Sequence, residues 1–174
     1  MCCVFTFYIG NIGVLTRLNK GAFSGCTGLT SITIPDSVTW IGSSVFSNCA
    51  PNKIEISSRN STYYSEGNCI IEKETNRLVA GCNNSIIPNS VKYIGGSAFG
   101  GSIGLTTITI PNSVTGIGER AFIGCTGLQT ITFDGTISQW KSIEKIPYWN
   151  EKWNNDIPNT CKVVCTDGTI SIND

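Results

Sequence analysis

The chain has 174 residues, is 40% hydrophobic but only 14% charged, and carries twelve basic against twelve acidic residues for a formal net charge of zero. A neutral chain lacks the attraction that phosphate backbones and anionic lipid surfaces require, which sets nucleic acid aside as a partner. Histidine is absent, which removes the usual neutral-pH general base and every His-containing zinc site, so no cofactor or metal is implied.

In chain order, the apolar segment from Met1 to Leu15 lacks a basic start and is broken by Gly10, Asn11 and Gly13. It reads poorly as a signal peptide and better as an apolar first strand or a ragged start inside a longer product. No stretch approaches the ~20 apolar residues that span a bilayer. A repeat then begins. Gly21-Ala22-Phe23-Ser24-Gly25-Cys26-Thr27-Gly28-Leu29 returns nearly letter for letter from Arg120 to Leu128, and in modified form from Ser97 to Leu105. Phe23 and Phe46 are 23 residues apart, as are Phe99 and Phe122. A second block, Ile34-Pro35-Asp36-Ser37-Val38-Thr39-Trp40-Ile41-Gly42, recurs from Ile87 to Gly95 and from Ile110 to Gly118. A 23-residue period falls in the leucine-rich-repeat range of ~20–29 residues.

Each unit has a physical reading. In Leu29–Ile34, Ile32 and Ile34 alternate with Ser31 and Thr33, as a strand with one buried face requires. Pro35 ends it. Val38, Ile41, Val45 and Phe46 have offsets of three, four and one, which predicts a short helical or 3₁₀ turn facing inward. The fold class expected is mainly β with short helical segments: a right-handed solenoid of about four to five coils, each burying its apolar side against its neighbours.

Between Pro35 and Pro88 the spacing exceeds two periods by seven residues, so an insertion is expected at about 58–84. Asn68-Cys69-Ile70-Ile71 and Arg77–Cys82 read as a hairpin around the polar tip Glu72–Asn76, projecting from or replacing one convex segment. It either contacts a partner or only lengthens a coil. After Phe133 the repeat stops. The stretch from 134 to 174 contains Trp140, Tyr148, Trp149 and Trp153, then Lys162–Cys165 and Thr169–Ile172 around an Asp167-Gly168 hairpin signal. It reads as a cap of the same domain as the solenoid at 1–133, sealing its apolar end; an aromatic carbohydrate platform is the rival reading.

Nine cysteines would suit a disulfide framework, but their positions argue otherwise. Cys26 and Cys49 are 23 apart and Cys125 takes the same turn slot, which predicts a buried ladder of thiols. Cys69 and Cys82 flank the hairpin and are the one candidate disulfide. Cys161 and Cys165 lie on one face of a strand, ~13 Å apart, too far to bridge. The carboxylates are scattered, and Glu72 and Glu74 beside Lys73 and Arg77 read as a solvated cluster. Two glycosylation sequons, Asn60-Ser61-Thr62 and Asn83-Asn84-Ser85, are short patterns that support no claim.

The run from Ile108 to Phe133, ITIPNSVTGIGERAFIGCTGLQTITF, resembles the repeat of BspA-like leucine-rich-repeat proteins, and clear repeats cover roughly residues 14–57 and 84–133. Arg17-Leu18-Asn19 departs from the expected Ile-Gly, suggesting an incomplete first coil, and Ser102 replaces the turn cysteine. The resemblance implies a surface or secreted, extracellular, non-catalytic module for adhesion or protein binding. It carries no catalytic residues. Partners of such repeats contact the outward strand positions, here Ser31, Thr33, Glu55, Ser57, Thr107, Thr109, Thr130 and Thr132. The ligand expected is a protein or a glycan; a structural spacer within a longer surface protein is the alternative. More remote are a carbohydrate-active enzyme and an ice-binding solenoid, which the Thr-x-Thr grid resembles.

Overall fold

The computed structural model describes residues 15–49, 51–149 and 157–174, together with the backbone of residues 5–8. Apart from the backbone strand at 5–8, the apolar start up to residue 14 lies outside the described residues, as does Trp153. The protein is mainly β, with four open sheets among the described residues. The Ile-x-Ile segments form β1 (Phe5–Tyr8), β3 (Leu29–Ile34) and β5 (Lys53–Ile56) in one parallel sheet. Their later counterparts are β10 (Thr107–Ile110), β12 (Thr130–Phe133) and β14 (Lys162–Cys165), with β15 (Gly168–Ser171) added antiparallel. Ile108 pairs with Ile131, and Ile131 with Val163. Identical repeats fall into register because each apolar side chain then stacks on its own equivalent one turn along.

The Val-x-x-Ile-Gly block corrects the sequence expectation. It forms no helical turn: Trp40–Ile41 (β4) pairs in parallel with Arg17–Leu18 (β2). Tyr93–Ile94 (β9), Gly116–Ile117 (β11) and Glu144–Lys145 (β13) pair likewise. Val38, Ile41, Val45 and Phe46 are all buried as expected, but by a strand and a turn. The turn cannot propagate a helix because it contains left-handed residues at equivalent places, Gly21 (φ +65°), Ser44 (+52°), Ser97 (+52°) and Arg120 (+53°), a conformation L residues adopt singly and at a cost. Consecutive turns bond to each other: Phe23 N–H donates to the Val45 carbonyl at 3.0 Å and Phe99 N–H to Ala121 at 2.8 Å. Their rings stack at 6.0 Å for Phe23–Phe46 and 5.2 Å for Phe99–Phe122. Leu18 fills the isoleucine slot and is buried, so the departure at 17–19 leaves the short strand of the first repeat intact.

The insertion is a three-stranded antiparallel meander, β6 (Tyr63–Glu66), β7 (Cys69–Glu72) and β8 (Arg77–Ala80), and β8 continues in parallel into β9. β6 and β7 join through Gly67 (φ +56°) and Asn68 (φ +61°), the two left-handed residues a type I′ turn demands. The meander does not project: residues 69–71 and 78–80 are buried on both faces. Ile70, Val79 and Ala80 join the apolar cluster of the N-terminal repeats, while Cys69, Ile71 and Leu78 join that of the C-terminal repeats. The insertion is a wall between two cores.

Two asparagines splice the interrupted ladders. Asn60, 1% exposed, donates from Nδ2 to the carbonyls of Pro35 (2.9 Å) and Val38 (2.8 Å) and accepts at Oδ1 from the amides of Thr62 (2.9 Å) and Tyr63 (2.8 Å). Asn68 accepts from Ile54 N–H at 2.7 Å and donates to the Asn52 carbonyl at 3.0 Å. With its side chain so engaged, Asn60 is not a glycan acceptor.

The C-terminal segment holds the only helix among the described residues, α1 (Ile137–Ser142), which the sequence reading did not anticipate. Thr136 and Gln139 form a capping box at its start, and Trp140 turns inward between Phe133 and Trp149, with edge contacts at 5.5 and 5.8 Å. In the β14–β15 hairpin Cys165 pairs with Gly168, so the turn residues are Thr166 and Asp167, and Gly168 already belongs to the strand.

Asn60→Ala strips partners from four backbone groups at the splice, each costing ~1–3 kcal/mol when buried unsatisfied. The expected loss is at least about 2 kcal/mol in urea unfolding, with the slope unchanged; a midpoint equal to that of the parent would contradict the splice.

Candidate functional site

The outward positions of the Ile-x-Ile strands form the surface singled out from sequence. Thr107 and Thr109 are exposed and lie directly opposite half-buried Thr130 and Thr132 in neighbouring strands. In the N-terminal sheet Ser31 and Thr33 are half-buried, and the register differs by one residue from the C-terminal half. Ser31 faces Lys53 and Thr33 faces Glu55, so exposed Lys53 belongs to the row, whereas Ser57 falls just beyond β5 and donates its amide to the Ile34 carbonyl at 2.8 Å. Lys53 and Glu55 pair with each other at 2.8 Å, both well exposed. The eight residues therefore lie in or just beyond strands of two separate sheets, with the insertion between them in sequence.

Sequence reasoning missed the most exposed apolar residue of this side. Ile86 is 73% exposed, stands 23 residues before Thr109, and is fixed by its amide donating to the Gly67 carbonyl at 2.7 Å. The repeat itself places it outward, one period from a threonine already in the row. It stands beside the turn of the inserted meander, flanked by exposed Glu66 and Asn84.

A concave groove of about 790 Å³ lies on the turn edge, lined among others by Lys20, Ser24, Ser44, Ser47, Gly101 and Ile123. It follows from the insertion, which has no Ala-Phe turn of its own. Asn48 N–H therefore bonds straight to the Gly101 carbonyl at 3.0 Å. Gly101 (φ +73°) permits that approach; a Cβ there would lie 2.1 Å from Ser47 Oγ.

The thiols are not arranged as expected. Cys69 and Cys82 are not joined. β7 and β8 pair Ile70 with Ala80, which leaves Cys69 and Cys82 out of step by one residue, and the side chains fall in the two different cores. Cys69 Sγ lies 3.6 Å from the Gly67 carbonyl, and Cys82 Sγ 3.5 Å from that of Pro51. Of the turn-slot cysteines, Cys49 and Cys125 are buried but Cys26 is exposed. Cys161 and Cys165 alternate with exposed Lys162 on the inner face of β14, as expected. Burial pushes the Cys69 thiol up to about 12, and those of Cys49 and Cys161 to about 11.

Trp140 and Trp149 are buried and so seal apolar surface. Lys145 Nζ sits 4.6 Å over the Trp140 ring, and burial lowers its pKa. On the tip of the insertion Glu72 pairs with Arg77 at 3.4 Å. A hydrogen bond from Thr75, then the neighbouring Arg77, holds the Glu72 carboxyl below its usual range despite partial burial. Lys73 turns away to the Asn60 carbonyl at 2.6 Å. Among the described residues no group of three His, Cys, Asp or Glu side chains could hold a metal ion, and no helix is long and apolar enough to cross a membrane.

In-register parallel strands on one side, two-residue strands on another and stacked Phe turns between them define a leucine-rich-repeat protein. The model of the BspA type leucine rich repeat region matches in six copies over residues 6–69 and 70–151. The chain belongs to that family. Among solved structures it is similar to a leucine-rich repeat protein from Eubacterium ventriosum, at 26% identity and a TM-score of 0.51, covering 75% of this chain and 41% of that one. It also shares its fold with the pneumococcal vaccine antigen PcpA, at 16% identity and a TM-score of 0.52, covering 88% of this chain and 55% of that one. The chain thus spans about half the length of these structures or less. No curated protein matches it.

The raised thiols set a pH dependence. A thiol whose pKa is higher folded than unfolded favours folding fully below its unfolded value, near 9.0, and loses that contribution as pH rises through the folded value. Stability is therefore expected to be flat up to pH ~9 as far as these groups act, and to fall between about 9 and 12 for Cys49, Cys69 and Cys161. Equilibrium unfolding at stepped pH on wild type and Cys69→Ala checks this, the variant showing the shallower alkaline decline.

Proposed function

We propose that this chain is a non-catalytic binding module that contacts a protein or glycan through the outward face of its long strands. The observation that carries the reading is the in-register row Thr107/Thr130 and Thr109/Thr132, continued by exposed Ile86. Hydroxyls ~4.8 Å apart across strands and ~6.7 Å along them offer a rigid, uncharged grid of hydrogen-bonding groups. Ile86 supplies an apolar anchor beside it, and an anchor surrounded by polar contacts is the usual anatomy of a recognition surface. Because the strands are rigid, little side-chain or loop entropy is lost on binding.

On this reading the repeats form a right-handed solenoid of four to five coils, residues 134–174 act as its cap, and the protein works at the cell surface or outside the cell. The non-catalytic, surface and adhesion parts rest on membership of the BspA-type family. Thr107, Thr109, Thr130 and Thr132 carry most of the contact, and Ser31, Thr33, Glu55 and Ser57 extend it across the insertion. A spacer within a longer chain is the second reading; the match to only part of each solved structure favours it.

The two readings separate on one experiment. The chain is tested against immobilised neutral and anionic glycans and against secreted proteins. The quadruple change of Thr107, Thr109, Thr130 and Thr132 to Lys is expected to abolish any capture, at least tenfold in Kd, while unfolding stays cooperative. Capture that survives the four lysines overturns the strand-face proposal. Failure of the folded wild type to bind any of these probes favours the spacer.

A further inference from the structure

Cys26 and Cys49 occupy the same place in consecutive turns. Cys26 N–H donates to the Phe23 carbonyl at 3.2 Å, and Cys49 N–H to that of Phe46 at 2.9 Å. The cross-turn bonds Phe23 to Val45 (3.0 Å) and Gly25 to Ser47 (2.8 Å) set residue 26 directly over residue 49. The stacked rings of Phe23 and Phe46 report the same register. Parallel backbones so paired lie ~4.8 Å apart, within the Cα separation of ~4.4–6.8 Å that disulfides span. Cys69 and Cys82, by contrast, are out of step by one residue and enter different cores.

The two thiols differ in access. Cys26 is exposed to solvent and Cys49 is buried. Burial, then the neighbouring Cys26 and Cys82 thiols, raises Cys49 to about 11. Such a pair has a reagent-facing member and a shielded member within reach of it, the arrangement of an attacking and a resolving cysteine. Elsewhere the slot is changed: Ser102 takes it in the repeat after the insertion, and Cys125 Sγ lies 3.2 Å from the Phe99 carbonyl.

We propose that Cys26 and Cys49 are a thiol modification site, oxidised to a disulfide by small-molecule disulfides of the glutathione class. The Cys26 thiolate attacks one sulfur of the reagent; the S–S bond breaks, one thiolate leaves, and a mixed disulfide forms on Cys26. The Cys49 thiolate then attacks Cys26 Sγ and expels the second reagent thiolate. Two protein thiols lose two protons and two electrons, and one small disulfide becomes two small thiols. The product staples the adjacent turns that carry Phe23 and Phe46.

The test uses the full chain, first reduced and then incubated with excess oxidised glutathione at pH 7, 8 and 9, quenched by alkylation and mapped by mass spectrometry. The expected product is a peptide joining Cys26 to Cys49. A Cys26 adduct precedes it, and resolution speeds up about tenfold per pH unit, following the thiolate fraction of a group titrating near 11. Cys49→Ser is expected to stop at the Cys26 adduct, and Cys26→Ser to leave Cys49 unmodified. A mixed disulfide on Cys26 that persists in the wild type overturns the proposal, as does a bridge from Cys26 or from Cys49 to any third cysteine. All three are read on the unmutated chain and need no variant to fold.

Discussion

The structure depends on one constraint: each backbone must lie over its equivalent in the next unit, 22 or 23 residues away within the repeats and 32 where β12 meets β14. No single turn of this chain encloses a core. Ile108 is buried because Ile131 covers it, and Ile131 because Val163 does. Stability in such an array is a sum of neighbour terms, and that is why the sequence repeats closely where side chains touch their equivalents and drifts where they meet solvent. The cysteine slot follows the same logic, since a small apolar thiol fills a narrow turn without a demanding hydrogen bond.

The insertion shows what happens when the constraint is broken. The meander joins the short-strand ladder through β8 but leaves backbone groups of the preceding repeats without strand partners, and two carboxamides take the place of those partners. Asn60 has two donors and two acceptor sites and uses all four on backbone groups. The strands between turn into a partition, apolar on both sides, and the turn edge loses a unit and becomes concave. The same event leaves Ile86 standing clear on the outward face beside the meander turn.

The register and most of the core were legible in the sequence, since Phe23/Phe46, Phe99/Phe122 and the Ile-Pro blocks announce which residues cover which. The short strands were not. Val38, Ile41, Val45 and Phe46 have offsets that fit a helical turn, and only the left-handed backbone at Ser44 and its equivalents forbids it; serine and arginine give no warning of that conformation. The partition was hidden for a different reason: in Cys69-Ile70-Ile71 the apolar run is continuous, and without alternation a strand buried on both faces looks like any other apolar stretch. By contrast α1 had a readable signal in Thr136-x-x-Gln139, a capping box ahead of an apolar residue. The outward face was half legible. The C-terminal threonines fall where the period puts them, but one residue of slippage between β3 and β5 brings in Lys53, and Ile86 was passed over because it sits in a segment without a regular strand.

The measurement that most directly tests this account is the pattern of methyl contacts in solution. Nuclear Overhauser contacts should link Ile108 to Ile131 and Ile131 to Val163 in series, with Cys69 and Ile71 contacting the second core and Ile70 and Val79 the first. Absence of the Ile108–Ile131 and Ile131–Val163 contacts, or Ile70 and Ile71 sharing one set of neighbours, would contradict the stacked register and the partition it surrounds.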